Sequence, residues 1–220
     1  FSKTFCDRHP DVQFLGLWDT VKSVFQLEPR DLRFTSVVLP RTFVNAKVRT
    51  VRHALAIDER RRFFRTNLWT TTNDDAPTDQ DIKQVWFAGV HSDVGGGYPH
   101  QEGGLSKVSL KWMLREAVAE GLLIDEARRD EILGSGGVSD QGALAEMHES
   151  LEGWWHLPEW VPKQSNAGPN LVQGKRWYLP RGERRFIADG SLVHASVVER
   201  LTAGIDYAPS NLPASYRIET

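Results

Sequence analysis

Residues 85–98 read VWFAGVHSDVGGGY, and the rest of the chain is best understood from this stretch outward. Its first five residues, Val85 to Gly89, are apolar or small, which is typical of a strand buried on both faces of a parallel sheet. His91 and Asp93 follow at the point where such a strand ends. Because α/β proteins build their sites at the carboxyl ends of parallel strands, we expect His91 to lie in a functional site.

The three glycines that follow, Gly95, Gly96 and Gly97, permit positive φ angles and close approach of a ligand or of another part of the backbone. No Walker or dinucleotide-binding pattern surrounds them, so the sequence argues against a nucleotide site. Together with Asp19, His91 and Asp93 offer one nitrogen and two oxygens to a metal ion, but an isolated H-x-D is weak evidence. We therefore predict no metal and no cofactor.

A second short apolar run, VQFLGLW from Val12 to Trp18, ends in Asp19 and Thr20. A carboxylate at the end of a buried strand is costly unless it is paired or hydrogen-bonded. Asp19 either caps the following turn or orients a histidine. Asp19 precedes His91, which is the order of the last two members of the α/β-hydrolase triad.

The nucleophile of such a triad is not found in this sequence. No Gly-x-Ser-x-Gly elbow occurs in the 220 residues, and the chain starts at Phe1 in mid-pattern. We therefore expect the serine to lie upstream of Phe1. Cys6 is a poor substitute, because nothing around it forms an elbow or visibly lowers its pKa. His194, in the sequence VHASV, is the alternative candidate for the base.

Secondary-structure patterns indicate an α/β protein. An amphipathic helix is predicted over Leu105 to Leu123, so strand, glycine turn and helix form a βα unit with a parallel sheet. A second helix is predicted over Val48 to Ile57, followed by a solvated charged helix end at 58–62. A hairpin is predicted over 174–187, and a short helix over 192–201.

The back half of the chain is rich in tryptophan. Four of the eight tryptophans are Trp154, Trp155, Trp160 and Trp177. They lie in a predicted helical and loop excursion over 143–190, which is either a hydrophobic lid or wedge, or a surface that faces the substrate. We assign residues 1–220 to one domain, with 143–190 as a lid or accessory excursion within it.

Composition excludes several classes of function. Hydrophobic residues make up 40% and charged residues 25% of the chain, as in a globular protein with one substantial core. A net charge of −2 argues against nucleic acid as a partner. No apolar run approaches the roughly 20 residues of a membrane span, and no signal peptide is visible. We expect a cytoplasmic protein, or one secreted without a classical signal peptide.

Several of these motifs, in this order, resemble one family: the α/β-hydrolase catalytic domain that includes the phospholipase effectors of bacterial type VI secretion. The matching segments are FLGLWDTV (14–21), RHALAIDERR (52–61), VWFAGVHSDVGGGY (85–98), VHASV (193–197) and YAPSNLP (207–213).

The resemblance implies a partial α/β-hydrolase fold, with a mainly parallel sheet and flanking helices, and a Ser-Asp-His esterase mechanism. Asp19 corresponds to the family's aspartate and His91 to its histidine, with Asp93 and Gly95 to Gly97 supporting the loop of His91. The family's serine lies in an upstream Gly-Phe-Ser-Arg-Gly-Ala elbow, so the chain is the C-terminal portion of a lipase or phospholipase and incomplete by itself.

The expected substrate is a lipid or a small ester, and peripheral contact with a membrane is part of this expectation. Two alternatives stay open. One is a non-catalytic binding module with an α/β-hydrolase fold. The other is a metal-dependent hydrolase that uses His91 and Asp93.

Overall fold

A computed structural model of the chain describes residues 11–21, 24–28, 33–37, 45, 47–70, 80–134, 141–164 and 177–220. The strands are β1 (Val12–Trp18), β2 (Val24–Glu28), β3 (Arg33–Val37), β4 (Val48–Ala56), β5 (Asp81–Phe87), β6 (Lys163–Gln164), β7 (Trp177–Tyr178), β8 (Leu192–His194) and β9 (Arg217–Glu219). The helices are α1 (His91–Gly95), α2 (Gly104–Ala119), α3 (Glu126–Leu133), α4 (Gln141–Leu144), α5 (His156–Glu159) and α6 (Ala195–Thr202), with a 3₁₀ turn at Gly153–Trp155.

Five strands form a parallel sheet in the order β1-β4-β5-β8-β9, and this confirms the predicted α/β class. Two small antiparallel pairs, β2-β3 and β6-β7, lie outside it. Because neighbouring strands run in the same direction, the carboxyl ends of β1, β4 and β5 share one edge of the sheet. The residues that follow these three strands therefore meet there.

The sheet is covered on both faces. On one face, Val85 and Phe87 of β5 pack with Trp112 and Met113 of α2. On the other face lie Leu55, Trp86 and Val193, packed with Val197 of α6 and Tyr207 of the C-terminal segment. The continuous apolar runs of the sequence are explained by this two-sided burial.

The predicted helix over Val48 to Ile57 is wrong, because this segment is the strand β4. Eight of its nine residues are buried, so its apolar residues show neither the alternation of a half-exposed strand nor a polar face. A short run that is buried throughout has no period by which strand and helix can be distinguished. By contrast, the helix predicted over Leu105 to Leu123 is confirmed as α2, which ends at Ala119.

Two further predictions from the second half need correction. The expected hairpin over 174–187 does not form within its described part, 177–187: Tyr178 pairs with Lys163 of β6, and the residues after β7 form no strand. The helix predicted over 192–201 begins only at Ala195, because Leu192–His194 is strand β8.

In the described residues, no helix is both long and apolar enough to cross a membrane.

Candidate active site

Asp19 lies directly after β1, at the shared carboxyl edge of the sheet. Its φ is +44°, a left-handed conformation that non-glycine residues rarely adopt and that is often found at functional sites. The side chain is fully buried. The main-chain N–H of Ala56, at the end of β4, donates to Asp19 Oδ1 at 2.9 Å. The neighbouring strand thus holds the carboxylate in place.

His91 is the first residue of α1 and comes just after β5, so it reaches the same edge. Its Nδ1 lies 2.7 Å from Asp19 Oδ2, and donation to this carboxylate favours the tautomer whose Nε2 carries a lone pair. Among the described residues Nε2 has no hydrogen-bond partner, and the side chain is 29% exposed. The structure therefore brings the two predicted residues together, with the second ring nitrogen open to a reactant.

Arg185 clamps the carboxylate of Asp19 from the other side. Its Nη1 lies 2.5 Å from Oδ1 and its Nη2 lies 2.9 Å from Oδ2, while Nη1 also donates to the Ala56 carbonyl at 2.9 Å. Burial by itself would raise the pKa of Asp19. The charge of Arg185 and the hydrogen bonds from His91 and Arg185 outweigh burial and hold the pKa well below its usual range. Asp19 is thus a carboxylate at neutral pH.

Asp93 holds the turn that presents His91. Its Oδ2 accepts hydrogen bonds from the main-chain N–H of Val90, at 3.0 Å, and of His148, at 3.2 Å. Its Oδ1 lies 2.6 Å from His148 Nδ1. His148 has no place in the sequence-based site, because it lies 55 residues from Asp93 and only the tertiary fold brings it there.

Glycines allow this turn to be tight. Gly96 ends α1 in the left-handed region at φ +85°, where only glycine fits without strain. Gly89 has φ +112°, and a Cβ placed there would lie 2.5 Å from the Cβ of Asp93. The Asp93 side chain can therefore reach the Val90 N–H only because residue 89 lacks a side chain.

The charged segment 58–62 is not the solvated helix end that we expected, because its first two residues are buried. Glu59 Oε2 accepts a hydrogen bond from the main-chain N–H of His91 at 3.2 Å, and Oε1 accepts one from Ser150 Oγ at 2.9 Å. Asp58 accepts from the N–H of Gly89 and from the hydroxyl of Tyr207. These carboxylates tie β4 to the loop of His91. Their buried position could have been inferred from the sequence, because two carboxylates directly follow an apolar run and need partners there.

His194, the alternative candidate for the base, lies apart from this cluster. It is the N-cap of α6, and its Nδ1 accepts from the N–H of Ser196 at 3.2 Å. Its ring stacks on Phe87 with centroids 4.6 Å apart. Burial first, and then the charges of Arg115 and Lys111, lower its pKa to about 4. This geometry indicates a structural histidine. Cys6 lies outside the described residues.

His53 is fully buried beside Asp19 and supports the loop that carries it. Its Nε2 accepts from the main-chain N–H of Thr20 at 3.2 Å, and its Nδ1 donates to Gln84 Oε1 at 3.4 Å. Burial lowers its pKa to about 4. Both nitrogens are occupied, so the ring is a support for Thr20 and the adjoining Asp19.

A pH dependence of stability follows from these two lowered pKa values. Between pH 6.5 and 4 the unfolded chain protonates His53 and His194 while the folded chain does not, so each contribution to the free energy of unfolding falls as pH falls. The substitution His194→Asn keeps a side chain that can accept the N-cap hydrogen bond, but it removes one of the two imidazoles that bind a proton in this pH range. In urea titrations we expect the wild type to lose about 2 kcal/mol more than this variant across that window. Parallel pH profiles would contradict the assignment, and His100→Asn, at an exposed position, is the control.

The alternative of a metal site at His91 and Asp93 finds no support in the geometry. His91 is directed at Asp19, whereas Asp93 is directed at Val90 and His148. Within the part of the chain that the structure describes, no group of three or more His, Cys, Asp or Glu side chains is placed to hold a metal ion.

A parallel sheet covered on both faces, with the buried Asp19 bonded to the partly exposed His91 at the carboxyl ends of its strands, defines an α/β protein with a candidate site where such proteins build them. The family model described as the T6SS phospholipase effector Tle1-like catalytic domain matches residues 1–116 of the 220. The chain therefore belongs to this family, as the motifs at 14–21, 52–61 and 85–98 predicted, whereas the segments 193–197 and 207–213 lie outside the matched residues. The match includes Asp19 and His91 but not Arg185 or His148.

Comparison with curated proteins and with solved structures found no match for the chain. The family thus supports a phospholipase-type enzyme with a lipid substrate, and the name of the family is that of a type VI secretion effector.

Proposed function

We propose that this chain provides the acid-base half of a serine esterase that hydrolyses ester bonds of phospholipids. The observation that carries the proposal is the 2.7 Å contact between His91 Nδ1 and Asp19 Oδ2, with Nε2 free of other partners among the described residues. A carboxylate that fixes the tautomer of an imidazole, whose other nitrogen is accessible, is the arrangement of a general base.

In the first half of the reaction, the hydroxyl of the nucleophilic serine attacks the ester carbonyl while His91 Nε2 takes its proton. Asp19 stays ionised and stabilises the imidazolium that forms. When the tetrahedral intermediate collapses, Nε2–H gives the proton to the leaving alcohol and an acyl-serine remains. In the second half, water attacks the acyl group while Nε2 takes its proton, and Nε2–H then gives that proton to the serine oxygen as the bond between serine and acyl group breaks and the fatty acid leaves.

We place the serine upstream, in the Gly-Phe-Ser-Arg-Gly-Ala elbow that the family resemblance implies. The sheet offers a position for it: in the described residues β1 is the outermost strand of the five-stranded sheet and is hydrogen-bonded to β4 alone. A further parallel strand beside β1 would have its carboxyl end next to Asp19. Its elbow would then lie next to the open Nε2 of His91.

Two aromatic rings beside the base, one of them stacked against the guanidinium of Arg61 at 3.6 Å, support a substrate that carries acyl chains and a phosphate. The ring of Phe64 packs edge-on against His91, with centroids 5.0 Å apart, and Trp155 packs edge-on against Phe64 at 5.6 Å. Aromatic surface next to the reacting atoms excludes water and contacts hydrocarbon favourably. With the effector family, this supports action on phospholipid after secretion.

The test is hydrolysis by the protein extended upstream to include the elbow. We expect it to release fatty acid from phosphatidylcholine and phosphatidylglycerol vesicles, and we expect substitution of the elbow serine by alanine to lower the rate about 10⁴-fold or more. Unchanged release by the serine variant would refute the mechanism. No release from any phospholipid or short-chain ester would favour a binding module, and loss of activity to a chelator would favour a metal-dependent enzyme.

A further inference from the structure

An exposed aromatic surface surrounds the 3₁₀ turn and α5. It consists of four large apolar side chains, and we call it the aromatic face: Trp154, Leu157, Trp160 and Val161, which are 85%, 58%, 61% and 54% exposed. Their spacing of three, three and one residues places them on one side of consecutive helical turns. A cluster of this kind on a folded surface marks an interaction site more often than chance exposure does.

The aromatic face is held outward by polar contacts of the buried Glu159 and of Arg62. Glu159, between its members, is buried, and its carboxylate accepts from the main-chain N–H groups of Arg62, at 2.6 Å, and Gly182, at 3.0 Å. Arg62 Nη1 in turn donates to the carbonyls of Pro158 and Val161, at 2.6 Å and 2.5 Å. Turning the indoles inward would break these bonds, so within the described part of the chain the aromatic face stays exposed.

The aromatic face adjoins the candidate active site. Trp155, next to Trp154, touches Phe64, and Phe64 touches His91. A surface that covers the aromatic face therefore lies beside the catalytic base. This continuity favours an occupant that also contains the substrate.

One charge at the aromatic face fits a phospholipid headgroup. The guanidinium of Arg181, an exposed residue, lies 5.2 Å from the ring of Trp160. It has no ion-pair partner within the described ranges. Indole rings with a cation beside them suit the headgroup region of a bilayer, where the rings contact acyl chains and the cation meets phosphate.

We propose that the aromatic face docks on the surface of a phospholipid bilayer and thereby positions the active site over its lipid substrate. The inference rests on the proposed function, because that function makes the bilayer the source of substrate. Burial of the indoles among the lipids supplies most of the binding free energy, so the chain binds vesicles of phosphatidylcholine alone. Arg181 adds an electrostatic contact with the phosphate of a lipid headgroup.

The test is flotation of the 220-residue chain with phosphatidylcholine vesicles, with and without phosphatidylglycerol. We expect the double substitution Trp154→Ala/Trp160→Ala to lower the partition coefficient at least about tenfold. The matched control is Leu122→Ala/Leu123→Ala. These leucines are 50% and 94% exposed but follow α2. The nearby Glu120 accepts a hydrogen bond from Gln13, close to the start of β1. The two leucines therefore lie near the amino end of β1, whereas the candidate active site lies at the carboxyl ends of the strands. We expect this control to float like the wild type.

Flotation needs no turnover, so its outcome is independent of the esterase mechanism. Equal flotation of the tryptophan variant and the wild type would overturn the proposal, as would an absence of wild-type flotation or binding to anionic vesicles alone. A dimer in solution that the tryptophan substitutions dissociate would overturn it too, because the aromatic face would then bind a second copy of the chain. Vesicle binding by a chain that shows no esterase activity after extension would keep the docking surface and refute only the catalytic mechanism.

Discussion

The substitution His91→Ala, in the protein extended to include the elbow, is expected to lower kcat for ester hydrolysis about 10⁴-fold or more without unfolding the protein. The imidazole is the group that takes the serine proton and returns it to the leaving alcohol, and its bond to Asp19 orients it for both transfers. Asp19 loses one hydrogen bond but keeps those from Arg185 and the Ala56 N–H, so we expect the free energy of unfolding to fall by about 1–3 kcal/mol, which leaves the protein folded. Fatty-acid release and urea unfolding are the two measurements.

Two control variants make this test specific. His194→Ala removes the alternative base and is expected to retain activity, because His194 caps α6 away from Asp19. His100→Ala removes an exposed histidine that contacts the carbonyl of Ile132. If His91→Ala turned over normally, or if His194→Ala alone abolished turnover, the assignment of the base would be wrong.

Removing the cation that neutralises Asp19 is expected to have the largest effect on stability. The substitution Arg185→Gln leaves a fully buried carboxylate without its bidentate partner, and loss of one member of a buried ion pair costs about 3–5 kcal/mol. The side chain also donates to the carbonyls of Ala56, at the end of β4, and of Phe64, in the loop that follows, and both carbonyls lose this donor in the variant. Urea unfolding at pH 7 measures the difference.

The neighbouring residue provides a matched control. Arg184 carries the same charge but is 35% exposed and makes one contact of 3.3 Å with Asp58, which keeps its hydrogen bonds from the Gly89 N–H and the Tyr207 hydroxyl, so Arg184→Gln is expected to cost about 1–2 kcal/mol, clearly less than Arg185→Gln. The double variant Asp19→Asn/Arg185→Gln, which removes both buried charges, is expected to be more stable than Arg185→Gln alone. Equal losses for the two arginine variants would show that Asp19 does not depend on the Arg185 charge.

Some residues of the candidate site could be predicted from the local sequence pattern, and others could not. Asp19 and His91 were predicted to be close because each follows a buried strand, and parallel strands in one sheet end at one edge. Arg185 could not be predicted, because it is 166 residues from Asp19 and lies in a segment that resembled a hairpin. Its two neighbours in the sequence are exposed or half-buried, so nothing in the local pattern marks it as a residue of the core.

The sequence by itself determined the α/β class, the strands β1 and β5, the helix α2 and the family, since these depend on local hydrophobic runs and on contiguous motifs. The tertiary structure alone decided that 48–56 is a strand, because a segment covered on both faces shows no period. It alone placed Arg185 on Asp19 and His148 on Asp93, because a buried charge is identified by its partner, and partners far apart in sequence meet only when the chain folds.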